Sequence, residues 1–281
     1  MKTSLVPFAL CCVIVSTNLL QSQCSDAGIC SIGHRPPQNE VRLSLEYALG
    51  RSTKADDLTF HSFIAAGILP ILEDSRLTVI LPFNRQNGPL GSVSGIGDLT
   101  AIWTQKLASG SEHRLSMNLG AKIALADVNA GSLPQSYQSG LGTNDVLAGI
   151  SYETGEWNFS FGYQLSRGRS ENKINRLKRG DDLLVTAGYT TSFGEFVVDG
   201  EILAIKRVHK SNVLVPLALS VYTDIPKSDQ GQINLMGRLS HSFTKSITLR
   251  GMVAVPLLAR DINVDGLTRS FSVSVGVLYT L

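Results

Sequence analysis

The chain of 281 residues is long enough for one large β domain or two small ones. Charged residues make up 17% of it and the net charge is +2, which argues against nucleic-acid binding, a function that needs a strongly basic surface. Beyond the N-terminus, no apolar run reaches the roughly 18 residues that a helical membrane span requires.

Residues 1–23 are typical of a secretory signal peptide, because Lys2 precedes an apolar stretch over residues 5–20. We expect cleavage near residues 21–24 and assign residues 24–39, which are polar and rich in turn formers, to a periplasmic N-terminal segment. Cys24 and Cys30 stay in this segment, and so close a pair is expected to form a disulfide in an oxidising compartment. The alternatives are lipidation of Cys24, which Gln23 disfavours, and a metal site, which would have only His34 nearby.

From Glu40 onward, apolar residues alternate with polar ones, the two-residue period of a β-strand. No stretch has a sustained helical period, and tight turns alternate with longer loops. The residues between 84 and 97 are glycine-rich and are predicted to form a loop. The thirteen alternating stretches are, in chain order, 41–49, 58–67, 77–83, 99–107, 115–125, 146–152, 157–165, 183–189, 196–202, 213–221, 233–239, 247–255 and 270–281.

The last stretch, 270–281, has the clearest pattern. Its alternate positions are apolar, and Leu278 is the one exception on the polar face. The apolar positions are Phe271, Val273, Val275, Val277, Tyr279 and Leu281. A tilted strand of about 9–11 residues spans a bilayer, although the same alternation also fits a soluble sandwich.

The signal peptide and the long uninterrupted strands favour a barrel in lipid, where every backbone group must pair within the protein. We therefore predict an all-β fold, a closed antiparallel transmembrane β-barrel over residues 40–281. A closed bacterial barrel has an even number of strands, so thirteen stretches cannot all belong to it. We predict 12 strands, with 14 as the alternative, and place the miscount between residues 195 and 246.

Charged side chains on the polar faces are candidates for lining the lumen and binding a solute. Most of them are basic, so an open lumen would mildly favour anions. In a narrow lumen they would instead pair with the acidic residues and plug the barrel. These residues are Arg42, Glu46, Lys106, Arg114, Lys122, Asp199, Glu201, Arg238 and Arg250.

Residues 261–266 match the start of a calcium-binding loop, with Asp261, Asn263, Asp265 and Gly266 at the required spacing. The twelfth position, which should be a glutamate, is Ser272. We therefore expect a turn in an outer loop and predict no metal and no cofactor.

A serine and a histidine on different strands could meet inside a barrel, as a membrane phospholipase requires. The sequence has no nucleophile-elbow pattern to support this, so we predict no enzymatic activity and no catalytic residues. His61, His113 and His241 are expected to line the lumen or to belong to an aromatic girdle.

The predicted loop between residues 167 and 182 is strongly basic in its first part. It could contact lipopolysaccharide or an acidic solute, and the alternative is an ordinary solvated loop. Its basic residues are Arg167, Arg169, Lys173, Arg176, Lys178 and Arg179.

Two glycine–aspartate stretches and the last strand carry a resemblance to known proteins. Gly95-Ile96-Gly97-Asp98-Leu99 and residues 139–145, Ser-Gly-Leu-Gly-Thr-Asn-Asp, resemble stretches of transporter-like outer-membrane proteins. The family is the one labelled for meta-pathway phenol degradation, which is related in style to fatty-acid-transporter barrels. The last strand resembles the assembly signal of bacterial outer-membrane proteins, with Leu281 in place of the usual Phe.

This resemblance implies residence in the outer membrane of a Gram-negative bacterium and insertion by the barrel-assembly machinery. It also implies contact with outer-membrane lipid and lipopolysaccharide, and uptake of small-molecule solutes that include apolar ones. The predicted function is a passive channel or transporter. The alternatives are a structural or adhesive barrel that acts through loops 127–144 and 167–182, and a barrel-type lipid hydrolase.

Overall fold

The computed structural model describes residues 40–52, 57–215, 221–262 and 264–281. The expected signal peptide, the N-terminal segment and the Cys24–Cys30 pair lie outside these residues and stay predictions. Within the described ranges no helix is long and apolar enough to cross a membrane. The strands are β1 (Arg42–Arg51), β2 (Thr59–Leu72), β3 (Ser75–Gly88), β4 (Gly91–Ile96), β5 (Leu99–Ser109), β6 (His113–Ile123), β7 (Asn144–Thr154), β8 (Trp157–Arg167), β9 (Asp182–Phe193), β10 (Phe196–Arg207), β11 (Asn212–Val215), β12 (Val221–Asp224), β13 (Gly231–Ser242), β14 (Ile247–Leu258) and β15 (Phe271–Thr280).

Twelve of these strands form a closed antiparallel ring. Each pairs with its neighbours along the chain, and β15 returns to pair with β1 over ten residues, from Arg42 opposite Thr280 to Arg51 opposite Phe271. Strand β4 pairs with β3, and β11 pairs with β12 and bridges to Lys178 through Asn212, so these three short strands stand outside the ring. The predicted closed barrel of 12 strands is therefore confirmed.

The alternation in the sequence appears directly as two faces of the wall. On β8, Trp157, Phe159 and Phe161 are exposed on the outside, whereas Asn158 and Ser160 are buried on the inside. Because the ring leaves no open edge, its backbone groups pair with one another and the apolar outer side chains can face acyl chains. These two properties together fit a bilayer and not water.

The two ends of the barrel differ in the length of their connections. Tight turns join β2 to β3, β7 to β8 and β9 to β10, the last two through Gly155 and Gly194, whose positive φ angles of 52° and 61° suit glycine. The connections at the opposite end are longer, and the largest cover 124–143, 168–181, 208–230 and 259–270. Outer-membrane barrels have their short turns on the periplasmic side, which makes the long-loop end extracellular.

Two sequence predictions about strands are wrong. The stretch 213–221 is not a barrel strand, because β11 and β12 form a separate hairpin in an extracellular connection; residues 216–220 between them lie outside the described chain. This hairpin is the source of the odd count, and it falls inside the interval where the miscount was expected. The predicted loop 84–97 is instead the end of β3 together with β4, whose residues alternate too weakly to be recognised as strands.

Part of the barrel interior is filled by aliphatic side chains. They come from inward positions of β5, β7, β9, β10, β13 and β14 and pack into one cluster, which we call the aliphatic plug. Leu203 at its centre has no exposed surface. The members of the aliphatic plug are Ile102, Leu147, Leu184, Leu203, Ile205, Met236 and Ala254.

Candidate functional site

An elongated cavity runs along the inside of the opposite wall, formed by β1, β2, β3, β14 and β15. Its volume is about 250 Å³. It extends from Phe60 and Gln86, beneath the extracellular loops, to Arg42 and Arg76 near the periplasmic turns. The interior is therefore solid on one side and hollow on the other.

The wall of this cavity carries an apolar stripe, which we define as Ile64, Ala66 and Ile68 of β2 with Ile80 and Pro82 of β3. The register places Ile64 opposite Pro82 and Ala66 opposite Ile80, so the five side chains form one continuous surface. Strand β2 is apolar on its outer face as well, where Phe63 and Leu69 are exposed.

Apolar side chains were expected to face outward and polar ones inward. This alternation fails on β2, where the apolar Phe60 and Ile64 face inward. Leu278, the exception in the last strand, also lines the cavity, opposite Ser44 of β1. Leu278 faces the cavity one strand away from the apolar stripe, with Ser44 between it and Ala66, which accounts for an apolar residue on the polar face of that strand.

The predicted lumen-lining residues all lie at inward positions of the strands, and they fall into three different environments. Arg42, Glu46, Lys122, Arg238 and Arg250 line the cavity. Lys106 and Arg114 line a small recess near the periplasmic turns, where Lys106 pairs with Asp74 and Arg114 lies 3.5 Å from Glu153. Asp199 accepts a 2.6 Å hydrogen bond from the Thr190 hydroxyl, and Glu201 lies 3.2 Å from Arg238.

The polar lumen is thus divided. The charges near the aliphatic plug are largely paired, while those of β1 and β14 border open space.

Sequence reasoning missed Arg76, which also lines the cavity, because the alternating stretch was taken to begin at Leu77. It missed the apolar stripe because apolar residues were expected to face lipid.

The two glycine–aspartate stretches bind each other. Asp98, between β4 and β5, accepts backbone N–H bonds from Leu141 at 2.7 Å and Gly142 at 3.1 Å, and longer ones of 3.3 Å from Leu125 and Ala126. Its carboxylate is 2% exposed. Both ends of the extracellular loop 124–143 are therefore held by one side chain.

Loop 124–143 folds inward over the cavity. Tyr137 packs with Leu58, Phe60 and Val93, and its hydroxyl accepts a 3.1 Å hydrogen bond from the backbone N–H of Leu90. Asn84 and Gln86 of β3 donate to the carbonyl oxygens of Ser139 and Gln138. The loop consequently forms the extracellular cap of the cavity, and we call it the capping loop.

Three arginines and three aspartates form a buried ion cluster at the extracellular end of β7, β9 and β10. Arg207 makes two 3.0 Å bonds to Asp182 and a 2.8 Å bond to Asp265, while Arg179 lies 3.0 Å from Asp145. None of these side chains is more than 4% exposed. The cluster consists of Asp145, Arg179, Asp182, Arg207, Arg260 and Asp265.

The ion cluster and its surroundings show where the candidate calcium ligands and the residues of the basic loop lie. Asp265, a candidate calcium ligand, binds Arg207, and Asp261 accepts a hydrogen bond from Gln230. No group of acidic, histidine or cysteine side chains that could hold a metal occurs among the residues described. Arg179 of the basic loop is buried in the cluster, and Arg169 stacks on Tyr222 of β12 at 3.7 Å, so only part of that loop's charge faces outward.

Acid is expected to weaken this end of the barrel. Burial alone would raise the pKa of Asp265, but the charges of Arg207, Arg179 and Arg260 outweigh it and lower the pKa from 3.8 to about 2. Because the folded-state pKa lies below the unfolded one, the stabilisation is present above pH 4 and is lost as the pH falls towards 2. The contribution is about 2 kcal/mol. Urea unfolding midpoints measured between pH 5 and pH 2 should fall less steeply for Asp265→Asn than for the wild-type protein, and equal slopes would contradict this.

The described histidines outside the loops contact aromatic side chains. His61 contacts the Tyr47 hydroxyl at 2.7 Å, and His113 contacts that of Tyr152 at 2.9 Å. His241 stacks on Phe196 with ring centroids 4.4 Å apart. Of the two expected environments, the aromatic girdle matches these contacts for all three histidines, and His61 also borders the cavity.

The fold is shared with a known channel. The COG4313 outer membrane channel from Pseudomonas putida F1 aligns with a TM-score of 0.67 and 13% identity, over 88% of this chain and 97% of that one. The NanC porin aligns with a TM-score of 0.49 and 10% identity over 84% and 100% of the two chains. The KdgM porin in complex with disordered oligogalacturonate aligns at 0.47 and 11%, over 85% and 99%.

At these identities the likeness concerns the fold alone. No family model matches this sequence, and no curated protein matches it. The closed ring, the apolar outer surface and the uneven loop lengths nevertheless agree with the shared fold. The chain is a twelve-stranded β-barrel of the bacterial outer membrane.

Proposed function

We propose that this protein is a passive channel for small, partly apolar molecules. The observation that carries the proposal is the cavity with its apolar stripe, inside a lumen whose other surfaces are polar or tightly packed. A lumen that only conducted ions and sugars would have no use for five apolar side chains facing inward.

The size of the cavity supports small solutes. Pockets for drug-sized ligands usually measure about 300–1,000 Å³, and this cavity is somewhat smaller. The aliphatic plug occupies the other half of the lumen, so a wide aqueous pore is absent from the part of the barrel described. A short alkyl chain or a single ring fits the remaining path.

The contacts of the histidines do not favour lipid hydrolysis. His61 and His113 bond to tyrosines, while His209 lies 3.5 Å from Asp181 and His241 lies 4.0 Å from Glu195. None of these four described histidines bonds to a serine. A hydrolase would need such a pair.

We also propose two surface roles. Arg167, Lys173 and Lys178 are exposed on the extracellular loop 168–181 and its edge, where they could meet the phosphates of lipopolysaccharide. The alternating last strand would serve recognition by the barrel-assembly machinery.

Channel recordings on the refolded protein test the main proposal. We expect a small single-channel conductance in KCl that falls several-fold in Ile80→Trp, because a bulky ring on the apolar stripe blocks the path. Val79→Trp is the matched control, since its side chain lies on the outer face of the same strand. The proposal fails if the wild-type protein shows no channel events, or if the two variants conduct equally.

A further inference from the structure

Two charged side chains of opposite sign are left open in the cavity. Among the described residues, nine aspartate, glutamate, lysine and arginine side chains line it, and seven of these are engaged by other groups of the chain. The remaining two are Glu46 of β1 and Arg250 of β14, both half-buried. Neither makes a hydrogen bond or an ion pair with any residue of the described chain. The open charges are therefore one acid and one base, not a surplus of either sign.

Glu46 and Arg250 lie on either side of one glycine. Strand β15 runs between β1 and β14, and its Gly276 is opposite Glu46 on one side and opposite Arg250 on the other. At the usual spacing of about 4.8 Å between strands, the Cα atoms of the acid and the base are about 10 Å apart. Because glycine has no side chain, the two charged groups face each other across a gap. We call Glu46, Gly276 and Arg250 the charge notch.

The position of Gly276 is crowded on the side of the acid. A Cβ added at position 276 would lie 3.0 Å from the Cβ of Glu46, whereas Cβ atoms of opposite residues are usually about 4.5–5.5 Å apart. Glu46 therefore stands partly over the glycine, on the side that leads to Arg250. A larger residue at position 276 would fill the charge notch.

The apolar stripe begins directly beside the charge notch. Ile64 of β2 lies opposite Glu46, and Pro82 of β3 lies opposite Ile64. One row of inward side chains across the wall thus contains two apolar residues, an acid, a gap and a base. An apolar surface, a carboxylate and a guanidinium are consequently within reach of one small molecule.

The neighbouring charges do not alter this balance. Arg42 lies four residues farther along the sheet and pairs with Glu40 at 3.1 Å. Arg238, on the strand next to that of Arg250, pairs with Glu201 at 3.2 Å. A simple anion in the charge notch would be attracted by its base and repelled by its acid, and a simple cation would meet the reverse. A molecule that carries both charges satisfies both groups at once.

We propose that the charge notch binds apolar α-amino acids, with the ammonium on Glu46, the carboxylate on Arg250 and the side chain on Ile64 and Pro82. The proposal deepens the channel function proposed above and rests on it. A guanidinium binds a carboxylate through two parallel hydrogen bonds, and a carboxylate accepts charge-assisted hydrogen bonds from an ammonium. Opposite charges on one carbon suit the short span between the two side chains.

Saturation-transfer NMR on the refolded protein in a deuterated non-ionic detergent tests this selection, because the method detects weak ligands. Four probes are compared: L-leucine, N-acetyl-L-leucine without the ammonium, L-leucinamide without the carboxylate, and glycine without the side chain. L-leucine should bind at least about tenfold more tightly than each of the others, the factor that one charge-assisted hydrogen bond or a few buried methylenes supply. Protein-free micelles give the blank.

Variants separate the three contacts. Glu46→Gln should remove the preference for L-leucine over N-acetyl-L-leucine and leave the preference over L-leucinamide. Arg250→Gln should do the opposite. Ile64→Asn should remove the preference for L-leucine over glycine. Glu156→Gln and Arg85→Gln, the same changes at exposed positions away from the cavity, should alter none of these preferences.

The outcomes distinguish this proposal from the channel function. The amino-acid selection is overturned if L-leucine binds no more tightly than N-acetyl-L-leucine or L-leucinamide, a comparison that needs no variant, even if the protein conducts ions. It is also overturned if Glu46→Gln and Arg250→Gln weaken all four probes equally, since the two charges would then only support the wall. Loss of one preference in each variant supports the site, even if planar-bilayer recordings show no current and overturn the channel function. A heat-dependent shift in gel mobility shows that each variant forms a closed barrel.

Discussion

Replacement of Asp98 by alanine is expected to release the capping loop and to raise the single-channel conductance several-fold. The substitution removes the acceptor for four backbone N–H groups at the two ends of that loop. Hydrogen bonds to a charged group contribute about 1.5–3 kcal/mol each, so the two shortest alone are worth about 3 kcal/mol or more. The capping loop should also become sensitive to protease added from the extracellular side.

Two variants control for this effect. Asp98→Asn keeps one carbonyl oxygen and should give an intermediate conductance. Asp127→Ala removes an exposed carboxylate from the same loop, where Asn129 is its one hydrogen-bond donor among the residues described, and should conduct as the wild-type protein does. If Asp98→Ala has normal conductance and an intact loop, the packing of Tyr137 and not Asp98 holds the cap.

Replacement of Arg207 by methionine is expected to destabilise the barrel by about 3–5 kcal/mol. Methionine fills much of the same space but leaves the carboxylates of Asp182 and Asp265 buried with fewer counter-charges. Urea unfolding followed by tryptophan fluorescence in lipid vesicles measures the change. Limited proteolysis should show early cleavage in loop 259–270, which carries Asp265.

The matched control is Arg176→Met. Arg176 lies 3.4 Å from Glu171, and the two side chains are 41% and 76% exposed, so the loss should stay below about 1 kcal/mol. The double variant Arg207→Met with Asp265→Asn should recover part of the lost stability, because it removes one of the stranded charges. Equal effects of Arg207→Met and Arg176→Met would mean that the ion cluster contributes little.

The barrel wall was predictable because one face of each strand meets lipid and the other meets the lumen, so apolar and polar residues alternate along it. Stretches such as 157–165 alternate strictly, and their faces lie as expected, with Phe159 outside and Ser160 inside. The alternation does not specify a strand's partner, however. For that reason the residues of the β11–β12 hairpin were predicted to form a barrel strand. The residues of β4 were predicted to form a loop, because they are few and rich in glycine.

The candidate site was predictable only in part. Inward charges such as Arg42 and Arg250 follow from alternation alone. The apolar stripe does not, because both faces of β2 are apolar and the pattern cannot tell a lipid-facing isoleucine from a cavity-facing one. The partner of Asp98 is more than 25 residues away along the chain, so its role as an anchor required the folded structure.

The division of the lumen has an evolutionary consequence. In the proposed channel, tight packing is concentrated in the half of the barrel that carries the aliphatic plug, whereas solute passage would use the residues of the hollow half. In that channel, substitutions at Ile64, Ile80 or Arg250 would alter which solutes enter while the half with the aliphatic plug stays unchanged. Related barrels could in this way diversify their substrates without first acquiring compensating stability mutations.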